Sequence, residues 1–99
     1  MMNRDAIGLL GLIQRSRRLI SGEEVIKGIQ KHQVYLVVIA KECGNNIRKK
    51  LMDKCTYYEV PYVFMDREAL NQAIGTKNRS AVAITDQGFA QKLHACWKG

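Results

Sequence analysis

A chain of 99 residues has room for one domain with one core, taken here as residues 1–99, and its 16 Lys and Arg against 9 Asp and Glu leave a formal charge of +7. A domain that basic attracts polyanions, nucleic acid first, with an acidic protein or an anionic lipid as rivals. No apolar run approaches the roughly 20 residues of a membrane span, Met1-Met2-Asn3-Arg4-Asp5 lacks a signal-peptide stretch, and Cys43, Cys55 and Cys96 show no C-x-x-C or metal spacing with His32 or His94; a cytoplasmic chain with reduced packing thiols is expected.

Residues 3 to 18 offer Asn3 as an N-cap, Asp5 in a first turn, and Ala6, Leu9, Leu10 and Ile13 at helical spacing. Arg15, Arg17 and Arg18 follow at the helix end, where cations suit the dipole. Leu19-Ile20 reads as a very short strand. Ser21 and Gly22 then turn the chain into an amphipathic helix, with Val25, Ile26 and Ile29 on one side and Glu23, Lys27, Gln30 and Lys31 on the other. Gly28 inside that helix costs about 1 kcal/mol relative to Ala, which marks close packing or ligand approach.

Val34 to Ala40 carries no charge and has strong β-propensity, as suits a strand covered on both faces. Asn45 or Asn46 is positioned to cap the next helix, whose apolar stripe is Ile47, Leu51, Cys55 and Tyr58 and whose other face bears Arg48, Lys49, Lys50 and Lys54. That basic face is either solvated or a contact surface. Val60-Pro61 stops the helix before a strand at Tyr62 to Met65. Asp66 starts a short helix with Leu70, Ala73 and Ile74, and Gly75 fits its C′ position. After Thr76-Lys77-Asn78-Arg79, the small uncharged residues from Ser80 to Thr85 form a strand. Asp86 opens a last helix with Phe89, Leu93, Cys96 and Trp97 on one face. Alternation of this kind predicts an α/β fold, a four-stranded sheet that is mainly parallel or mixed, with helices on both faces.

Catalytic chemistry finds little support. No G-x-S-x-G, P-loop or G-x-G-x-x-G occurs, and neither histidine has a nucleophile beside it in a known elbow. Three basic loops would share one edge of the alternating sheet: the helix opening at Gly22 to Lys27, the loop at Lys41, and the loop from Gly75 to Arg79. Ligands bind at such edges. At the Gly22 opening the residues leave two readings. An exposed helix start offers backbone N–H groups and positive potential to a ligand, whereas Glu23 and Glu24 also suit simple complementation of the dipole.

The pattern resembles the kink-turn-binding ribosomal protein family, in particular its small bacterial YlxQ branch. The resemblance rests on Leu9-Leu10-Gly11-Leu12 with Arg15, on Ser21-Gly22-Glu23-Glu24 with Lys27, on Asp53-Lys54-Cys55-Thr56-Tyr57-Tyr58 with Val60-Pro61-Tyr62, and on Thr85-Asp86-Gln87-Gly88-Phe89-Ala90. It implies a three-layer α/β/α sandwich with a four-stranded mixed sheet, and non-catalytic binding of structured RNA without a cofactor or metal. It also implies that Gly22 lets the RNA approach, Glu24 accepts from a guanine, and Lys27 contacts guanine or phosphate. Glu23 departs from the family, which usually has Asn there; a carboxylate only accepts, and it repels phosphate.

The second contact region implied is the loop before the last strand, here Gly75 to Ser80 with Thr76, Lys77, Asn78 and Arg79, which cradles an extruded nucleotide. This version is more polar, so phosphate contact is expected to outweigh apolar cradling. Arg17, Arg18 and Lys41 are further expected phosphate contacts. The expected partners are structured RNA, ribosomal RNA foremost, and proteins of the translation machinery; no membrane is expected, and the chain is expected to be a monomer. The rival expectation is a basic module that docks on an acidic translation or transcription factor.

Overall fold

The computed structural model describes residues 4–76 and 79–97. Within them the chain alternates as its hydropathy requires: α1 (Arg4–Arg15), β1 (Leu19–Ser21), α2 (Glu24–Gln30), β2 (Leu36–Ala40), α3 (Asn45–Tyr57), β3 (Tyr62–Met65), α4 (Arg67–Ile74), β4 (Ala81–Ile84) and α5 (Gln87–Ala95). The strands form one mixed sheet in the order β1-β4-β2-β3. β4 runs antiparallel to both its neighbours, and β2 and β3 are parallel. Because β4 alone runs against the rest, the carboxyl ends of β1, β2 and β3 lie at the same edge as the amino end of β4. Register fixes this edge: Ser21 lies opposite Val82, Ile39 opposite Ala81, and Ala40 opposite Met65.

α1, α4 and α5 pack together on one face of the sheet, and α2 and α3 pack together on the other. This is the α/β/α sandwich. β2 is buried along its whole length, because strands flank it on both sides and helices cover both faces. Leu10, Ile13, Val25, Ile29, Leu70 and Leu93 bring the apolar stripes of the helices into the same core. Each contributes about 1.5–3 kcal/mol by leaving water. Gly28 serves close packing: a Cβ there would meet Ile20 Cδ1 at 2.7 Å and Val34 Cγ2 at 2.8 Å. The helical cost of that glycine is offset by the approach of α2 to the sheet.

Several local expectations shift. Asn3 lies outside the described residues. The third helix starts from Gly44 in extended conformation, with Asn45 and Asn46 already helical, so neither is its cap. Ile47, expected in the core stripe with Leu51 and Cys55, is 48% exposed. Asp66 holds the N-cap position of α4 without a side-chain capping bond. Its carboxylate faces Lys41 Nζ at 3.5 Å, and the Arg67 N–H donates instead to Glu42 Oε1 at 2.8 Å. β2 begins two residues later than the uncharged run, at Leu36. Asp86 behaves as expected, its Oδ1 accepting from the Phe89 N–H at 2.9 Å. Trp97 closes the structure from the end of the chain, its Nε1–H donating to the Phe64 carbonyl at 3.0 Å. Cys55 is fully buried, and desolvation pushes its thiol up to about 11; such a thiol packs and does not react.

Candidate nucleic-acid interface

The shared edge begins where β1 ends. Gly22 takes φ +66°, a left-handed conformation that costs other residues about 1–2 kcal/mol. The turn closes by a bond from the Val25 N–H to the Gly22 carbonyl at 3.2 Å. Glu23, at the N-cap of α2, is already helical in φ and ψ and makes no side-chain capping bond. Glu23, Glu24 and Lys27 are all exposed. The sequence thus turns sharply at a glycine and presents a short helix start without a side-chain cap, carrying both signs of charge.

The facing wall is the loop between α4 and β4. α4 ends at Gly75 with φ +72°, and the backbone then returns past Asn71, a buried polar residue. The Asn71 amide group donates to the carbonyls of Arg67 at 2.8 Å and Arg79 at 3.1 Å, while its Oδ1 accepts from the Thr76 hydroxyl and the Arg79 N–H, both at 2.8 Å. One buried side chain therefore ties both ends of this loop. Thr76 spends its hydroxyl on that tie, whereas Arg79 is fixed by its backbone and carries its exposed side chain to Gly22. A Cβ at Gly22 would lie 3.0 Å from Arg79 Nη1. Lys77 and Asn78 lie outside the described residues.

Between these walls lies a pocket of about 270 Å³, lined by Gly22, Ile26, Ile47, Lys50, Arg79 and Ser80, with Leu51 and Ala81 behind them. Its walls are largely aliphatic and its rim is basic. That volume lies just below the roughly 300–1,000 Å³ of ligand pockets, room for one flat ring system and not for a duplex. Residue reading missed Ile26, Ile47 and Lys50 as lining and Asn71 as the loop tie. A signal for Asn71 existed: it shares the buried stripe of α4 with Leu70 and Ile74, and an amide at such a place must be paired.

Other basic candidates are arranged differently. Lys41 is at the same edge but faces Asp66, and its carbonyl accepts from the Arg48 guanidinium. Arg48 also lies 5.9 Å from the centroid of the Phe64 ring, so it belongs to the frame of α3. Arg17 and Arg18 stand before β1, where the Arg18 carbonyl accepts from the Thr85 N–H at 2.8 Å. That is the opposite end of the strand, with Arg18 roughly 13 Å from Gly22 for four extended steps. The geometry brings Arg79 to Gly22, with Glu23 and Glu24 on the same turn and Lys27 one turn into α2. Gly75 and Thr76 share the sheet edge, but Thr76 lines a separate concavity with Glu42, Arg67 and Gln72, and Arg17 and Arg18 are not gathered with them. Among the described residues, no group of three His, Cys, Asp or Glu could hold a metal ion, and no helix is long and apolar enough to cross a membrane.

Residues 6–94 match the family model of the ribosomal protein L7Ae/L30e/S12e/Gadd45 family. The chain belongs to this family. Among its members, the chain is similar to the RNA-binding protein YlxQ of Bacillus subtilis, 47% identical over 87 residues that make up 86% of this chain and 87% of that protein. It is also similar to the RNA-binding protein YlxQ of Enterococcus faecium, 42% identical with 95% and 92% covered. A solved Bacillus halodurans structure, described as a protein of unknown function, superposes with a TM-score of 0.93 at 37% identity, covering 98% of this chain and all of that one. The 15.5 kD RNA-binding protein of Giardia lamblia shares the fold at a TM-score of 0.75 and 21% identity, with 97% and 93% covered.

Proposed function

We propose that this family member is a non-catalytic protein that grips structured RNA at the edge formed by the Gly22 turn and the Asn71-tied loop. The observation that carries the proposal is the pocket between them, aliphatic inside and basic at its rim. An unpaired base enters it over Ile26 and Ile47, while Arg79 and Lys50 hold the flanking phosphates. Gly22 lets the nucleic-acid backbone come close, Glu24 accepts from a guanine edge, and Lys27 contacts guanine or phosphate. These are the roles that the family resemblance implies for these positions. The names of the two YlxQ relatives support RNA as the ligand. A third relative, the large ribosomal subunit protein eL8 of Thermoplasma volcanium, is 30% identical with 94% of this chain and 79% of that protein covered, and it supports ribosomal RNA and a cytoplasmic place in translation. The RNA motif we assign is a kink-turn or a close relative of one.

The test compares a simple kink-turn RNA with a version whose tandem G·A pairs are replaced, at about 0.15 M salt, where non-specific binding is weakened. A preference of about tenfold or more for the intact motif, roughly 1.4 kcal/mol, is expected. Equal binding would remove the kink-turn while leaving RNA.

One observation favours a second reading. Glu23 is exposed at the site and makes no side-chain capping bond, so its charge opposes a phosphate. A protein partner can set a donor or a cation against this carboxylate while its acidic residues meet the surrounding lysines and arginines, which a uniformly charged phosphate backbone cannot do. Capture of such a factor that survives nuclease treatment would support this reading; capture that disappears would support RNA.

A further inference from the structure

Beyond the loop edge, the outward side of α3 carries a second concavity of about 560 Å³, lined by Lys50, Asp53, Lys54, Tyr57 and Tyr58. Its aromatic side is unusual for a solvated face. Tyr57 is 78% exposed. Its ring stands edge-on to Tyr58 with centroids 4.8 Å apart, and Tyr58 stands edge-on to His32 at 5.6 Å. The Tyr58 ring is therefore braced from both sides, and Tyr57 is held against it with most of its own surface in water. Burial does not explain Tyr57, because little of it is buried. Lys50 lines both this concavity and the pocket beside Gly22. The two surfaces are consequently continuous across one lysine.

We infer that this face is a stacking site for an unpaired stretch of the same RNA, one or two nucleotides lying over Tyr57 with their phosphates on Lys50 and Lys54. The inference rests on the RNA reading of the loop edge. An exposed tyrosine ring offers every base a π-face, and the two ammonium groups one helical turn apart offer sites to the backbone beside it. Asp53, between them, repels a phosphate and accepts from an exocyclic amino group, so it favours a base over the rings and a backbone on the lysines. Lys50 joins this path to the pocket: RNA anchored at Gly22 and Arg79 leaves over Lys50 and meets Tyr57 next. An acidic peptide would use the lysines and leave the exposed ring without a partner of its own kind.

The experiment measures the affinity of the full chain for a kink-turn hairpin with and without a ten-nucleotide single-stranded tail on each end, at about 0.15 M salt. The intact chain is expected to bind the tailed RNA at least about fivefold more tightly, the effect of one stacked base. Tyr57→Ala should remove that gain while leaving the tailless RNA unchanged, and Tyr57→Trp should keep it. The ring is exposed, so these substitutions leave the core intact. Ultraviolet cross-linking of a tail carrying 4-thiouridine should map to the peptide containing Tyr57. A gain that survives Tyr57→Ala, no gain at all, or a decaglutamate peptide that competes as strongly as a decauridine strand would each overturn the stacking site while tailless binding upholds the RNA reading. Failure of the intact chain to bind either RNA would overturn both.

Discussion

α2 and α5 both follow a strand of the sheet, and both have an acidic residue at the N-cap, yet their starts are built differently. Asp86 is extended, at φ −120° and ψ 125°, and its short side chain reaches back to the Phe89 N–H. Glu23 is already helical, at φ −65° and ψ −23°, because the left-handed Gly22 before it makes the turn. Its side chain makes no capping bond. The start of α4 is closed by yet another route, with Glu42 of the preceding loop accepting from Arg67. The starts of α5 and α4 are thus closed by side chains, whereas those of α3, which opens from extended Gly44, and of α2 have none, and of these two it is α2 that stands across from Arg79. A helix start leaves N–H groups to be satisfied by water or by a ligand. What sets the α2 start apart is therefore both features together, an open start and a place at the pocket shared by Gly22 and Arg79.

The strongest way to break this comparison is to loosen the wall that faces α2. Asn71→Ala removes four hydrogen bonds and leaves the part-buried Arg79 N–H and carbonyl without these partners, while the Arg67 carbonyl keeps its helical bond. With each buried unsatisfied group costing about 1–3 kcal/mol and partial relief by water, a loss near 3 kcal/mol is expected in denaturant unfolding. RNA affinity of the fraction that remains folded should fall with it, because Arg79 loses its fixed origin. A loss under about 1 kcal/mol would mean that the loop holds its shape without Asn71.

A direct comparison of the two starts gives smaller effects. Asp86→Ala is expected to cost about 1 kcal/mol of stability, the usual value of an N-cap, and to leave RNA binding alone. Glu23→Ala should change stability by less than about 0.5 kcal/mol. Glu23→Asn should raise kink-turn affinity roughly fivefold, since it removes a charge that opposes phosphate and adds a donor. If Asp86→Ala and Glu23→Ala destabilise equally, the α2 start is part of the frame and the distinction between the two ends collapses.

These two starts also show how far the sequence could be read. Asp86 is legible because capping is local: three residues and one short side chain decide it. The alternation of apolar runs likewise gave the sheet, its helices on both faces, and the shared edge for the Gly22, Lys41 and Gly75 loops. What stayed hidden depends on residues brought together from distant segments. Ile47 fits the helical period of Leu51 and Cys55 but lies beyond the core, beside Ile26 and Arg79. Asp66 looks like a cap until the Lys41 side chain, 25 positions earlier, is placed 3.5 Å from it. Asn71 shows by its place in the buried stripe of α4 that it must be paired, but its partners Thr76 and Arg79 emerge only when the loop returns past it. Composition supplied the charge, but only topology separates Arg17 and Arg18 from the edge where Arg79 stands.

The smallest expected effects make the sharpest distinction among the basic residues. Removing a phosphate contact should reduce the slope of log affinity against log salt by roughly 0.7 to 0.9. Arg79→Ala should show a change of that size, because its exposed side chain reaches Gly22 and lines the pocket rim. Lys41→Ala should show much less. Lys41 and Asp66 form an exposed pair worth about 0–1 kcal/mol, which the protein loses at little cost, and removing the lysine leaves a carboxylate while the capping bond from Arg67 to Glu42 persists. Arg17→Ala, at the far end of β1, should leave the slope where it was for a short RNA confined to the loop edge. A slope change at Arg17 equal to that at Arg79 would show that RNA wraps from one end of the sheet to the other, and that charge alone, with no special place for the open start of α2, determines where it binds.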